Sequence, residues 1–212
     1  MLELFLKGGI VMPPILFCSV VALIIIIERF IYFKKIRVDE EKMITRLKIT
    51  LEKRHFDEAL SICENNPSPI TNLMKAGIEH RKYEQRIIKE AILDAANLEV
   101  PKLERFLSAL GTIASISPLL GLLGTVFGNI DAFQILGKFT EAIGEPGMLA
   151  NGISEALIST AAGLIVSIPA LIFYNFLVNK VNHIILRLEN KANALVLLLS
   201  NNDVKEGKEY AV

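Results

Sequence analysis

The stretch Ile153–Val178, ISEALISTAAGLIVSIPALIFYNFLV, holds 26 residues and a single charge, Glu155. A helix needs about 20 apolar residues to cross the hydrocarbon core of a bilayer, so this run is long enough to span one. An acidic side chain near mid-helix costs roughly 2.5 to 3.5 kcal/mol to insert, so it is expected to face protein or water and not lipid. Small and polar residues recur with it at helical spacing: Gly152, Glu155, Ala156, Ser159, Thr160, Gly163 and Ser167. At about 100° per residue they share one arc of roughly 140°. Leu157, Ile158, Leu164, Ile165, Ile168, Leu171 and Ile172 lie on the other arc, which suits hydrocarbon. Such a helix has a lipid side and a side that something packs against.

Hydrophobic residues make up 52% of the 212 positions, and the rest of them concentrate in two further blocks, Ile10 to Phe33 and Phe106 to Phe133. The first block is followed by Lys34, Lys35 and Arg37 and lacks a small-residue cleavage site, so it reads as a retained anchor, not a signal peptide. The segment 34–105 carries fifteen Lys and Arg and the tail after Val178 five, against Lys7 alone before the first block and Lys138 alone in 134–150. The basic side is cytoplasmic by this count, with the N-terminus outside. The formal net charge is zero and nothing suggests a nucleic-acid surface. Cys18 and Cys63 fall in different segments, and no disulfide framework is expected.

The predicted fold is an all-α membrane protein with three transmembrane helices, the second and third extended into the cytoplasm. The predicted organisation is an outer segment with the first span (1–33), a cytoplasmic helical segment (34–105), the second span (106–133), a short outer connection (134–150), the third span (151–178) and a cytoplasmic C-terminal helix and tail (179–212). Within the cytoplasmic segment, Asn65-Asn66-Pro67-Ser68-Pro69 marks a break between helices. No enzyme is expected: His55, His80 and His183 are scattered without metal-ligand spacing, and the glycines from Gly121 to Gly128 sit in an apolar span that no phosphate reaches.

The second span repeats the pattern of the third. Gly111, Ala114, Pro118, Gly121, Thr125 and Gly128 form a small-residue stripe, and Gly124 with Gly128 has the spacing that lets helix backbones approach closely. Pro118 and Pro169 are candidate helix bends. Taking the outer boundary near Phe133 and Leu149, Thr125 and Thr160 lie roughly 12 to 17 Å inward and Glu155 roughly 9 Å, at ~1.5 Å per residue. One carboxylate and two hydroxyls at neighbouring depths are a candidate hydrated path. A local alternative exists for Thr160, whose hydroxyl can bond the carbonyl one turn earlier.

Gly121-Leu122-Leu123-Gly124-Thr125-Val126-Phe127-Gly128 followed by Asp131-Ala132-Phe133, and the run from Ile153 to Ala170, resemble the two signature helices of the MotA/TolQ/ExbB proton-channel family. Lys7-Gly8-Gly9 leading into Glu28-Arg29, and the stretch from Pro67 to Gly77, resemble it more loosely. Three spans with one long cytoplasmic loop are similar to the ExbB and TolQ branch. The resemblance implies a bacterial inner-membrane ring, pentameric, surrounding two copies of an ExbD- or TolR-like single-span partner that brings an aspartate. It implies that Thr125 and Thr160 face that aspartate, with Glu155 the acid of the third helix, and that Gly121, Gly124, Gly128, Ser159, Gly163 and Ser167 pack helices. Small residues facing the centre of the ring would leave room for a partner helix. The translocated ion would be a proton, no cofactor is required, and work would pass to a TonB- or TolA-like transducer. The alternative is a non-conducting membrane scaffold held together by small-residue packing.

Overall fold

The computed structural model describes residues 9–138 and 146–209, and every regular element among them is helical. The helices are α1 (Met12–Glu52), α2 (Phe56–Asn65), α3 (Pro69–Glu79), α4 (Gln85–Leu103), α5 (Leu107–Lys138) and α6 (Pro146–Glu209). Three of them carry stretches long and apolar enough to cross a membrane, Met12–Ile36 in α1 and one each in α5 and α6. The all-α, three-span class read from hydropathy is therefore the class observed. The connection expected over 134–150 is helical at both ends, and residues 139–145 lie outside the described residues, as do Lys7 and Gly8.

The extensions differ from expectation in one respect. The first and third spans run on as single helices, α1 to Glu52 and α6 to Glu209, whereas the second is separated from α4 by a break at Glu104–Phe106. Phe106 has φ 63°, a left-handed backbone that is a genuine outlier for a bulky residue. Its ring lies 5.9 Å from the Arg29 guanidinium, within cation–π range. Arg29 is only 2% exposed, and Glu28 accepts from its Nε at 2.5 Å and from its Nη2 at 2.7 Å. The two-pronged geometry is that of a strong charge-assisted pair, which is what a buried guanidinium requires.

The chain divides into two compact units. One comprises the described part of Met1–Arg29 with Phe106–Val178, and its buried residues include Ile15, Leu110, Ala156 and Leu177. Most of each apolar window stays exposed in the single chain, so this unit has large faces left for lipid or for other chains. The other comprises Phe30–Arg105 with Asn179–Val212 and is built as a soluble core would be. Leu47, Ile70, Leu73, Ile78, Ile88, Ile92 and Leu195 are almost fully buried there, each contributing roughly 1.5 to 3 kcal/mol by removal from water. Its α2–α3 corner falls at the predicted Asn65–Pro69 break. Ser68 Oγ accepts from the Thr71 N–H at 3.3 Å and Thr71 Oγ1 accepts from the Ser68 N–H at 2.7 Å, a reciprocal cap with Pro69 at the first helical position. Glu99, 4% exposed, takes Asn72 Nδ2 at 2.8 Å and Lys102 Nζ at 2.7 Å on the same oxygen.

Cys63 is buried on α2 among these residues. Burial pushes its thiol up to about 11 from 9.0, Lys75 opposing and Glu64 adding to the shift. The folded protein thus favours the neutral thiol. That preference is fully present below pH 9.0 and is lost as pH rises towards about 11. In a Cys18→Ala background at pH 8, maleimide should modify Cys63 about a hundredfold more slowly in the folded chain than in the denatured one, followed by intact mass. Equal rates would show that the thiol is not buried in this way.

Candidate functional site

Pro118 sets the local chemistry of α5. It has no N–H, so the carbonyl of Ala114 one turn earlier loses its helical donor. Ser167 on α6 fills that vacancy: its Oγ donates to Ala114 O at 2.6 Å, with Ser167 itself buried. The helix continues through Pro118, as α6 does through Pro169, which is exposed. Ser117, fully buried, donates to its own helix at Ile113 O, 2.7 Å away.

The two small-residue stripes face each other within this one chain. A Cβ on Gly163 would lie 2.5 Å from Ser117 O and 3.2 Å from Gly121 Cα. A Cβ on Gly121 would lie 2.9 Å from both Ser159 O and Thr160 Cα. These are backbone atoms, so any side chain there forces the helices apart. Gly124 packs on Ser159, and Gly128 on Gly152 and Ala156. The room made by the small residues is consequently taken up between α5 and α6. The expectation that it stays open for a partner helix is corrected, and the faces left for other chains are those of Leu119, Leu122, Leu123 and Val126 on α5 and Leu157, Leu164, Ile165 and Ile168 on α6.

This close crossing brings the predicted hydroxyls together. Thr125 Oγ1 and Thr160 Oγ1 are 2.5 Å apart, and both residues are half-buried. Thr160 Oγ1 also reaches Gly121 O at 3.1 Å, across the interface and not the carbonyl one turn earlier. Thr125 Oγ1 reaches Gly121 O at 3.3 Å on its own helix and Ala156 O at 3.4 Å on the other. Ser159, fully buried, donates to Ala156 O at 2.8 Å and approaches Gly121 O at 3.3 Å. Each threonine hydroxyl has one proton and two lone pairs. One of the pair therefore donates to the other while the second donates to a carbonyl, and exchanging the two roles gives a second arrangement with the same number of hydrogen bonds.

Glu155 stands five residues before Thr160 on α6, half-buried. Among the described residues it has no hydrogen bond and no ion pair, and its carboxylate lies against the backbone of Gly9 just ahead of α1. Gly9 was not singled out for this role by sequence reasoning. The only available signal was the glycine pair beside Lys7, which does not reveal its contact. Arg29 was likewise noted only within the looser Glu28-Arg29 resemblance, without its contact with Phe106. No group of residues among those described has the arrangement of a metal site.

Comparison with known proteins covers the same helices. Residues 65–190, which include Thr125, Glu155 and Thr160, match the family described as the MotA/TolQ/ExbB proton channel family. The chain is 34% identical over 185 residues to the biopolymer transport protein ExbB-like 1 of Synechocystis sp., covering 84% of this chain and 71% of that one. It is 28% identical over 207 residues to ExbB-like 3 of the same organism, covering 97% and 99%. With the Tol-Pal system protein TolQ of Haemophilus influenzae it shares 47% identity over 90 residues, 42% of this chain and 39% of that one.

The Pro118–Ser167 relation is testable by a double-mutant cycle. Ser167→Ala leaves the Ala114 carbonyl without a donor and should cost on the order of 1 kcal/mol in a detergent unfolding titration. In a Pro118→Ala background, where position 118 regains an N–H for that carbonyl, the same change should cost markedly less. Equal costs in both backgrounds would show that the serine does not answer the proline.

Proposed function

The chain belongs to the MotA/TolQ/ExbB proton channel family, and from that membership and the site geometry we propose that it is the ring-forming subunit of an inner-membrane motor driven by the proton-motive force. Five copies surround two copies of an ExbD- or TolR-like single-span protein. The observation that carries the proposal is the pair Thr125 on α5 and Thr160 on α6, two half-buried hydroxyls in mutual contact at 2.5 Å, with α6 also bearing Glu155, a carboxylate that has no hydrogen bond among the described residues.

The chemistry follows from the two hydrogen-bond arrangements of the pair. A hydroxyl accepts from a protonated carboxyl and donates to an ionised one, so the threonines serve a visiting aspartate in either state. Glu155, with no hydrogen bond or ion pair among the described residues, is the acid this chain itself contributes to the path. Each charge that crosses contributes about 2.3 kcal/mol per 100 mV, and several in succession drive a stroke that one does not. Alternate charging and neutralisation of the partner's carboxylate biases the central helices within the ring. The work is passed outward to a TonB- or TolA-like transducer, with the N-terminus of this chain outside and its C-terminus in the cytoplasm. ExbB- and TolQ-named relatives support biopolymer transport or Tol-Pal envelope work as the process.

A non-conducting scaffold is the competing reading, and the two diverge under mutation. Thr125→Val, Thr160→Val and Glu155→Ala should leave a complex of unchanged native mass yet reduce proton flux in reconstituted vesicles by about 100-fold or more, while Thr160→Ser retains most of it. A scaffold predicts dispensable hydroxyls, with Gly124→Leu or Gly163→Leu breaking the assembly. Wild-type flux in all three variants would overturn the motor reading.

A further inference from the structure

Gly9 lies ahead of α1 with φ +70°, and its carbonyl accepts from the Met12 N–H at 3.2 Å. Val11 and Met12 behind it are each only 4% exposed. The space that a side chain at position 9 would fill is occupied by Glu155 Oε1, with the Cδ and Cγ of the same residue 3.0 and 3.4 Å from the Cβ position. Nearby, Val11 Cβ comes within 3.6 Å of the Cβ position of Gly124, the residue that packs on Ser159. The turn ahead of α1 therefore lies against Gly124 of α5 and Glu155 of α6, with the acid beneath Gly9.

We propose that Gly9 is the positioning residue for Glu155: its bare backbone forms the seat of the carboxylate, so that the N-terminal end of the first helix covers the acid and governs its access. The inference rests on the reading of Glu155 as the acid of the ion path. Two separate properties reserve position 9 for glycine. Its left-handed φ disfavours L residues other than Asn and Asp, and any Cβ displaces the carboxylate whatever the φ. The seat also gives the carboxylate a fixed place in an apolar unit where it has no hydrogen bond or ion pair among the described residues. Contact with a Cα fixes where the group lies without fixing its charge, and a shift of the turn ahead of α1 covers or uncovers it.

The test uses the full chain co-expressed with its single-span partner. Gly9→Asn keeps a residue that tolerates positive φ and adds only the colliding side chain. It should preserve the native mass of the complex, change the rate at which dicyclohexylcarbodiimide modifies Glu155 by about fivefold or more, read by peptide mass spectrometry, and lower flux by about tenfold. Shortening the acid in Gly9→Asn/Glu155→Asp gives the added side chain room and should recover a large part of the lost flux, which a merely structural role for Gly9 would not produce. Unchanged carbodiimide labelling and flux in Gly9→Asn, or no recovery in the double variant, overturns the proposal.

Should Gly9→Asn fail to assemble, the pair Gly9→Cys/Glu155→Cys removes the collision altogether. It should form a disulfide under mild oxidation, and absence of the cross-link in an assembled complex overturns the proposed seat. If instead the threonine variants keep wild-type flux while the labelling change and cross-link are found, the seat stands and the ion-path reading fails. Loss of flux in the threonine variants with neither labelling change nor cross-link has the opposite meaning.

Discussion

The crossing of α5 and α6 at Gly121 and Gly163 is the contact on which the rest of the site depends. In an apolar medium no hydrophobic force drives two helices together, and association relies on van der Waals packing and interhelical hydrogen bonds. Both need short distances. A methyl group on Gly163 would meet Ser117 O at 2.5 Å and one on Gly121 would meet Ser159 O at 2.9 Å, so the observed separation exists only because both side chains are absent. The result is that the carbonyl of Gly121, already within reach of Thr125 on its own helix, also comes within reach of two hydroxyls of the facing helix, those of Ser159 and Thr160. The hydroxyl pair is thus a product of backbone proximity, and the packing glycines and the residues proposed for the ion path belong to one contact.

The same crossing accommodates a defect. A proline inside a membrane helix strands a carbonyl that no water can satisfy, a cost that neighbouring groups must offset. Ser167 does this from the facing helix, and the local loss becomes a bond between helices. Among the described residues no buried side-chain polar atom lacks a partner, so the buried serines Ser117, Ser159 and Ser167 are all paired. Glu155 differs because it is only half-buried and has no hydrogen bond among the described residues.

Much of this was legible before any coordinates, and the reason is locality. Three spans follow from runs of apolar residues and a break from Asn65–Pro69, features that lie within a few positions of one another. The candidates Thr125, Glu155 and Thr160 also emerged from periodicity, since helical spacing places them on faces rich in small residues. What those faces meet was not legible. A glycine stripe looks the same whether it packs on a second helix of its own chain or on a partner, and the structure assigns it to its own chain. The contacts Ser167–Ala114, Arg29–Phe106 and Gly9–Glu155 join residues separated by 53, 77 and 146 positions, and no spacing rule connects them. The left-handed backbone at Phe106, which splits α4 from the second span, has no signal in an aromatic residue that is usually extended or helical.

The division of labour within the site follows from what each group can hold. The threonine pair has two protons, two equivalent arrangements and carbonyl acceptors on both helices, so it can pass a proton along but has no stable charged form in which to keep one. A carboxylate has the opposite property: it stores a proton or a charge but needs another group to hand it on. A path of hydroxyls alone would relay without a stopping point, and an isolated acid would trap its proton. Under the proposed function, Glu155 and the hydroxyl pair five residues further along α6 would supply a store and a relay on the same two helices. A second carboxylate on a moving partner would then turn transfer between the two into displacement, because its charge decides whether it can remain in an apolar environment.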